Sequence, residues 1–100
     1  MTGDDQIAVE RVQSEAFGAL ASIQSYRDLN EAYFDRFRQA VINASAYFQG
    51  ESYAPSILID ELTLAARVLR NEATAFPGRT VACMEMAEWL DRQRRGLPQK

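Results

Sequence analysis

Apolar residues recur along the chain at intervals of three and four positions, in four stretches separated by Gly, Pro or short polar segments. An α-helix turns about 100° per residue, so this spacing places the apolar side chains of each stretch on one face. The pattern predicts helices over residues 4–26, 28–49, 56–76 and 80–95. Because short connections favour antiparallel neighbours, we expect one all-α domain over residues 1–100, a four-helix bundle or an irregular four-helix domain. Exchange of the last helix with a partner chain is the alternative.

The predicted core faces differ in composition from helix to helix. The first is rich in alanine, the second in aromatic residues, and the fourth contains the single cysteine. They consist of Val9, Val12, Ala16, Ala19, Leu20 and Ile23 in the first helix, of Leu29, Tyr33, Phe37, Ala40, Val41, Ala44, Tyr47 and Phe48 in the second, and of Cys83, Met86, Ala87 and Leu90 in the fourth.

Polar residues, glycine and proline predict where the helices begin and end. Asp28 with Glu31 three residues later resembles a capping box at the start of the second helix. Thr80 is expected to be the N-cap of the fourth helix. The Pro77-Gly78 pair should end the third helix.

The third helix is predicted to carry two apolar stripes, where an ordinary surface helix has one. Its main stripe consists of Leu58, Leu62, Ala65, Leu69, Ala73 and Phe76. Ile57, Leu64, Val68 and Ala75 form a second stripe, with Asp60, Glu61, Arg67, Asn71 and Glu72 between the two. Two stripes require cover from two directions, so a second layer is expected, inside the chain or on a partner. A two-fold homodimer is the simplest partner arrangement.

Three further apolar residues fall outside the main stripe of their helix: Ile7 and Phe17 in the first helix and Ile42 in the second. Single exposed apolar residues are ordinary on soluble proteins. If these residues converge in space with the second stripe of the third helix, they would form an association patch.

Charge is distributed unevenly, although the whole chain carries only −3. Residues 1–66 contain ten acidic residues against four arginines, and residues 67–100 contain seven basic residues against four acids. The acidic part, with Glu31 and Asp35 on the second helix, would suit a basic partner surface. The acidic N-terminal segment, the absence of a long apolar run and a lone cysteine together predict a cytoplasmic chain that does not enter the membrane.

Catalytic and metal-binding signatures are missing from the sequence. Without histidine, the chain has no His-based triad and none of the common His-containing metal motifs. Cys83 is predicted on an apolar helix face and is therefore a packing residue. Carboxylate pairs at helical spacing, such as Glu85 with Glu88, are typical of a solvated surface. We therefore expect no enzymatic activity, no cofactor and no metal.

Arg92, Arg94 and Arg95 form a basic run at the end of the fourth helix. Adjacent arginines can neutralise phosphates, but cations in a last helical turn also interact favourably with the carbonyl end of the helix. The leading prediction is a non-enzymatic protein that binds another protein, as an inhibitor, an immunity or antitoxin-like protein or an adaptor, with Ile57, Leu64, Val68, Glu31, Asp35 and Ile42 at the interface. The alternatives are a small DNA-associated regulator that uses the arginine run, and a carrier of an apolar ligand lined by aromatic and methionine side chains.

Overall fold

The computed structural model describes residues 3–26, 30–75 and 77–99, and for residues 25 and 26 it describes only the backbone. Four α-helices make up most of these residues. This part of the chain is all-α, as the sequence predicts. None of the described helices combines the length and apolar character needed to cross a lipid bilayer. The helices are α1 (Gly3–Tyr26), α2 (Glu31–Phe48), α3 (Ser56–Ala75) and α4 (Thr80–Gly96), with one turn of 3-10 helix over Pro77–Arg79.

The first two helices form an antiparallel hairpin. The Tyr47 hydroxyl, at the end of α2, donates a hydrogen bond of 2.6 Å to Asp5 at the start of α1. Nearer the other end of the hairpin, Arg36 of α2 lies 3.4 Å from the carboxylate of Glu15 in α1. Contacts that pair early residues of one helix with late residues of the other require opposite helix directions.

The last two helices form a second antiparallel hairpin. Arg70 of α3 makes an ion pair with Asp91 of α4. At the connection, the Thr80 hydroxyl donates to the carbonyl oxygen of Ala73 at 2.8 Å. α4 therefore packs on α3 of its own chain, and the predicted exchange of this helix with a partner is not needed to complete the core.

The two hairpins meet mainly through α1 and α3, while α2 and α4 contact each other only slightly. Among the described residues, α1 does not contact α4 and α2 does not contact α3. The molecule is elongated, with extents of 40 × 21 × 16 Å. The arrangement is therefore the irregular four-helix domain of the two predicted alternatives, because a regular bundle would bring each helix against two neighbours to a similar extent.

The segment after α4 closes one end of the molecule against the α2–α3 connection. Gln49 donates a side-chain hydrogen bond of 2.9 Å to the carbonyl oxygen of Gly96. The backbone amide of Ala54 donates to the carbonyl oxygen of Pro98 at 2.6 Å. Leu97 is buried between these contacts, with only 3% of its surface exposed.

One continuous hydrophobic core joins all four helices, and the predicted faces of α1, α3 and α4 are buried in it. The face of α2 is corrected in part: Phe34 is fully buried, whereas Tyr33 and Tyr47 are 39% exposed at its margin. Their ring edges carry hydroxyl groups that need water or a polar partner, so a margin suits them better than the core. Leu29 and Phe76 lie outside the described residues.

The predicted helix caps are wrong at two places. Asn30 is the N-cap of α2, where its side-chain oxygen accepts hydrogen bonds from the amides of Ala32 and Tyr33; Asp28 lies outside the described residues. Thr80 does not cap α4, which begins after Arg79 without a side-chain cap. Its hydroxyl instead bonds back to carbonyl oxygens of the preceding turn and of α3.

Candidate functional site

Phe17 is the most exposed of the large apolar side chains that the structure describes, and it lies beside the second stripe of α3. Its side chain keeps 78% of its surface exposed, and Leu64 keeps 48%. Both line an open groove of about 300 Å³ between α1 and α3. The groove, called here the α1–α3 groove, is lined by the apolar side chains of Phe17, Leu20, Ala21, Leu64 and Val68 and by the polar side chains of Gln13, Gln24 and Glu61.

Helix geometry explains how the sequence produces this groove. On α1, Ala16 and Leu20 point toward the core, and Phe17 follows Ala16 by one residue and is therefore rotated away from it by about 100°. On α3, Val68 is half-buried against the core, and Leu64 lies one turn away toward solvent. The two helices pack side by side, so their off-core apolar residues meet at the seam.

Ile57 extends the second stripe of α3 beyond the groove. It is 44% exposed and precedes Leu64 by seven residues, which is two helical turns or about 10 Å along the helix axis. The sequence leaves open whether the second stripe is covered inside the chain. In the structure, the described residues of the chain leave Ile57 and Leu64 about half exposed, and they cover Val68 to a greater extent.

Glu61 introduces a carboxylate into this mainly apolar groove. Partial burial raises the pKa of Glu61 above its usual value of 4.5, because desolvation disfavours the charged form. The polar residues that line the groove with it are the neutral amides Gln13 and Gln24. Within the described part of the chain, no ion pair neutralises Glu61. The sequence identifies this residue only as a spacer between stripes, and its electrostatic position becomes visible only in the fold.

The other predicted interface residues lie on a different surface. Ile42 is 46% exposed on α2, a helix that does not contact α3 in the described structure. Glu31 is exposed in the first turn of α2, and the carboxylate of Asp35 already accepts a hydrogen bond of 2.8 Å from Arg38. The structure therefore brings Phe17 together with Leu64 and Val68, and does not bring Ile42, Glu31 or Asp35 to them. Ile7 lies in a separate groove between α1 and α2.

The three arginines at the end of α4 do not share one exposed surface. Arg94 is mostly buried and lies 3.7 Å from the carboxylate of Asp91. Arg92 and Arg95 are exposed, and the surface they share also contains Glu88 and Asp91. Acidic side chains between the arginines weaken the attraction for a phosphate backbone.

Cys83 of α4 is fully buried. Burial raises the pKa of its thiol, the negative charge of Glu72 raises it further, and Arg79 acts in the opposite direction. A thiol with a raised pKa forms little thiolate at neutral pH and is a poor nucleophile.

The phenylalanine residues of α2 fill the core. Phe34, Phe37 and Phe48 have at most 1% of their surface exposed. Met86 and Trp89 border a surface groove between α2 and α4 that also contains charged side chains from both helices. These aromatic side chains thus act in packing, which is their more common use.

Comparison with known proteins finds no protein-family model that matches this chain, and no significant similarity to a curated protein or a solved structure. Among the described residues, no group of three or more His, Cys, Asp or Glu side chains is placed to hold a metal ion.

Proposed function

We propose that this chain is a non-enzymatic helical protein that acts by binding another protein through the α1–α3 groove. The observation that carries the proposal is the exposure of Phe17 beside Leu64. An exposed Phe adjoining further exposed aliphatic side chains is typical of a contact surface, because burying it on association releases water from a large apolar area. Inhibitors, immunity or antitoxin-like proteins and adaptors act in this way.

The groove favours a helical partner over a small molecule. It is open to solvent and lies between two helices, α1 and α3, which suits an amphipathic helix that inserts apolar anchors. Small-ligand sites usually enclose most of their ligand. Docking would remove more water from Glu61, so the partner has to leave this carboxylate protonated, hydrogen-bonded or paired with a cation. The cytoplasm is the proposed compartment, on the evidence of the lone cysteine.

A photo-crosslinking amino acid at position 17 tests this proposal in the cells that make the protein. The matched control carries the same amino acid at position 81, because Val81 is 70% exposed on α4, a helix whose described residues do not contact those of α1. We expect a defined protein adduct from position 17 that is absent from position 81. Leu64→Glu should abolish this adduct, since it places an unpaired charge in the apolar contact.

Two results would contradict the proposal. One is an adduct pattern from position 17 that equals the pattern from position 81. The other is an adduct that survives Leu64→Glu. Circular dichroism of each variant separates loss of binding from loss of folding.

A basic partner would also respond to the acidic residues of α2. Asp35 is already neutralised in part by Arg38, so we expect Glu31→Gln to slow association more than Asp35→Asn. Charges at the rim of an interface act mainly by steering the encounter. Association rates of both variants at two salt concentrations decide whether this surface participates. Equal rates for wild type and both variants would remove α2 from the recognition surface.

A further inference from the structure

The exposed surface of α3 carries two residues of opposite charge, Asp60 and Arg67, beside the second stripe. Asp60 and Arg67 are both exposed and border the second stripe on the side away from α1, seven residues apart. At about 1.5 Å per residue they are about 10 Å apart along the axis, too far to pair with each other on one helix. Within the described residues, neither side chain has an ion pair.

We infer that the protein bound at the α1–α3 groove is a second copy of this chain, packed across a two-fold axis that passes close to Leu64. This inference rests on the proposed function and names its partner. In a two-fold contact the same surface meets itself, so a contact from residue i to residue j occurs twice. Two antiparallel α3 helices centred near Leu64 place Asp60 of each copy on the same side of the contact as Arg67 of the other, within about 1.5 Å along the helix axis. Two ion pairs then flank the apolar contact.

The same axis brings the apolar residues of the second stripe into the contact. Leu64 meets its own counterpart at the centre. The half-buried Val68 of each copy lies opposite Glu61 of the other, and in this apolar surrounding the Glu61 carboxyl is held in its protonated form. Phe17, on the groove side of the stripe, is covered as α1 of each copy approaches the other. The polar residues Asp60 and Arg67 then form the rim that protein interfaces usually have around an apolar centre.

The available surface is sufficient for such a dimer. α3 contains 20 residues and is about 30 Å long, which is most of the longest dimension of the molecule, 40 Å. A standard interface takes about 800 Å² from each partner, or roughly one seventh of the 5860 Å² surface of this chain. The outer face of α3 together with the groove side of α1 can supply this area.

Charge reversal at the two rim positions tests the inference. Asp60→Arg leaves two cations facing each other across the axis, and Arg67→Asp leaves two anions. Each variant alone should dimerise on the order of tenfold more weakly than wild type, since like charges at a contact are repulsive. Mixing the two variants creates only opposite-charge pairs, so the mixture should form a heterodimer with an affinity near that of wild type. Sedimentation equilibrium with one variant fluorescently labelled measures both quantities.

The matched control is Glu85→Arg, which reverses an exposed acid on α4 and should leave dimerisation unchanged. If the mixture recovers, a folding defect cannot be the cause of weaker dimerisation in the single variants, because two misfolded variants would not restore each other's binding. A wild type that stays monomeric at about 100 μM, where even a weak dimer is populated, would overturn the inference. Single variants that dimerise as strongly as wild type would also overturn it. A mixture of the two variants that fails to recover wild-type affinity would do the same.

The crosslinking experiment separates this inference from the proposed function. An adduct at position 17 to a different protein, together with a monomeric wild type, leaves the binding function standing and refutes the second copy. An adduct of the chain to itself supports both. No specific adduct, with a monomeric wild type, contradicts both.

Discussion

Two phenylalanines of the same chain provide a direct test of the division between core and contact surface. Phe17 is 78% exposed and Phe34 is fully buried, so truncation of each to alanine removes the same atoms from opposite environments. Phe17 has about one fifth of its surface covered, or roughly 40 Å² of a phenylalanine side chain. At about 25 cal/mol per Å² this area contributes about 1 kcal/mol. Alanine also has the better helix propensity, by roughly half a kcal/mol.

The two truncations should therefore differ strongly in their effect on stability. Phe17→Ala is expected to change the free energy of unfolding by less than about 1 kcal/mol. Phe34→Ala should cost about 3 to 5 kcal/mol, because it removes the same side chain from the core and leaves a cavity. A loss of that size is a large part of the 5 to 15 kcal/mol that stabilises a typical domain.

Urea unfolding followed by circular dichroism measures both values. The measurements belong at a protein concentration at which sedimentation shows a monomer, so that the loss of an intermolecular contact does not count as a loss of folding stability. If Phe17→Ala destabilised the monomer as much as Phe34→Ala, Phe17 would be packed in solution. The α1–α3 groove would then be part of the core, and the reasoning that makes it a contact surface would fail.

Three further predictions concern the ionisable groups. Burial raises the pKa of Glu61 in the folded chain, so the folded state holds this proton more tightly than the unfolded state, and stability falls as pH rises above about 4.5. Glu61→Gln should therefore be more stable than wild type at pH 7, by less than about 1 kcal/mol because the carboxyl group is partly solvated. The difference in stability should vanish near pH 3. A difference that stays constant from pH 3 to pH 7 would contradict a raised pKa of Glu61. Cys83 should react with a thiol reagent only as fast as the chain unfolds, and Cys83→Ala should keep the crosslink at position 17 while losing about 1 kcal/mol of stability; rapid labelling of native protein would contradict its burial. Arg92→Gln and Arg95→Gln should leave that crosslink unchanged, whereas a salt-dependent affinity for duplex DNA that both variants flatten would favour the DNA-associated alternative.

Helical periodicity predicted most of the fold because each helix buries one face that consists mainly of apolar residues. The apolar positions of α1 and α4 recur every three or four residues and therefore share one helix face, so the buried residues follow from the sequence alone. The same rule is less accurate for α2, where tyrosine counts as apolar in a pattern and yet keeps its hydroxyl at the surface. Phe34 joins Phe37, Val41 and Phe48 on the buried face, and Tyr33 and Tyr47 lie at the margin of the same face.

Contacts between distant residues could not be predicted from periodicity. The sequence marks Phe17 and Leu64 as apolar residues outside the main stripes, but their meeting depends on α1 packing beside α3. In the same way, the pattern gives no reason to expect Leu97 in the core. Thr80 illustrates a third difficulty, since its hydroxyl could reach either helix, and the geometry of the connection directs it to α3.

The hydrogen bond from the Ala54 amide to Pro98 has a consequence for hydrogen exchange. α2 and α4 contact each other only slightly, so the two hairpins can separate on that side without unfolding either one, provided that the closing segment releases first. Amides within each hairpin would then exchange only by unfolding of that hairpin, while the Ala54 amide would exchange by this smaller opening. Its exchange rate reports the free energy that holds the segment after α4 against the α2–α3 connection, separately from the stability of the helices.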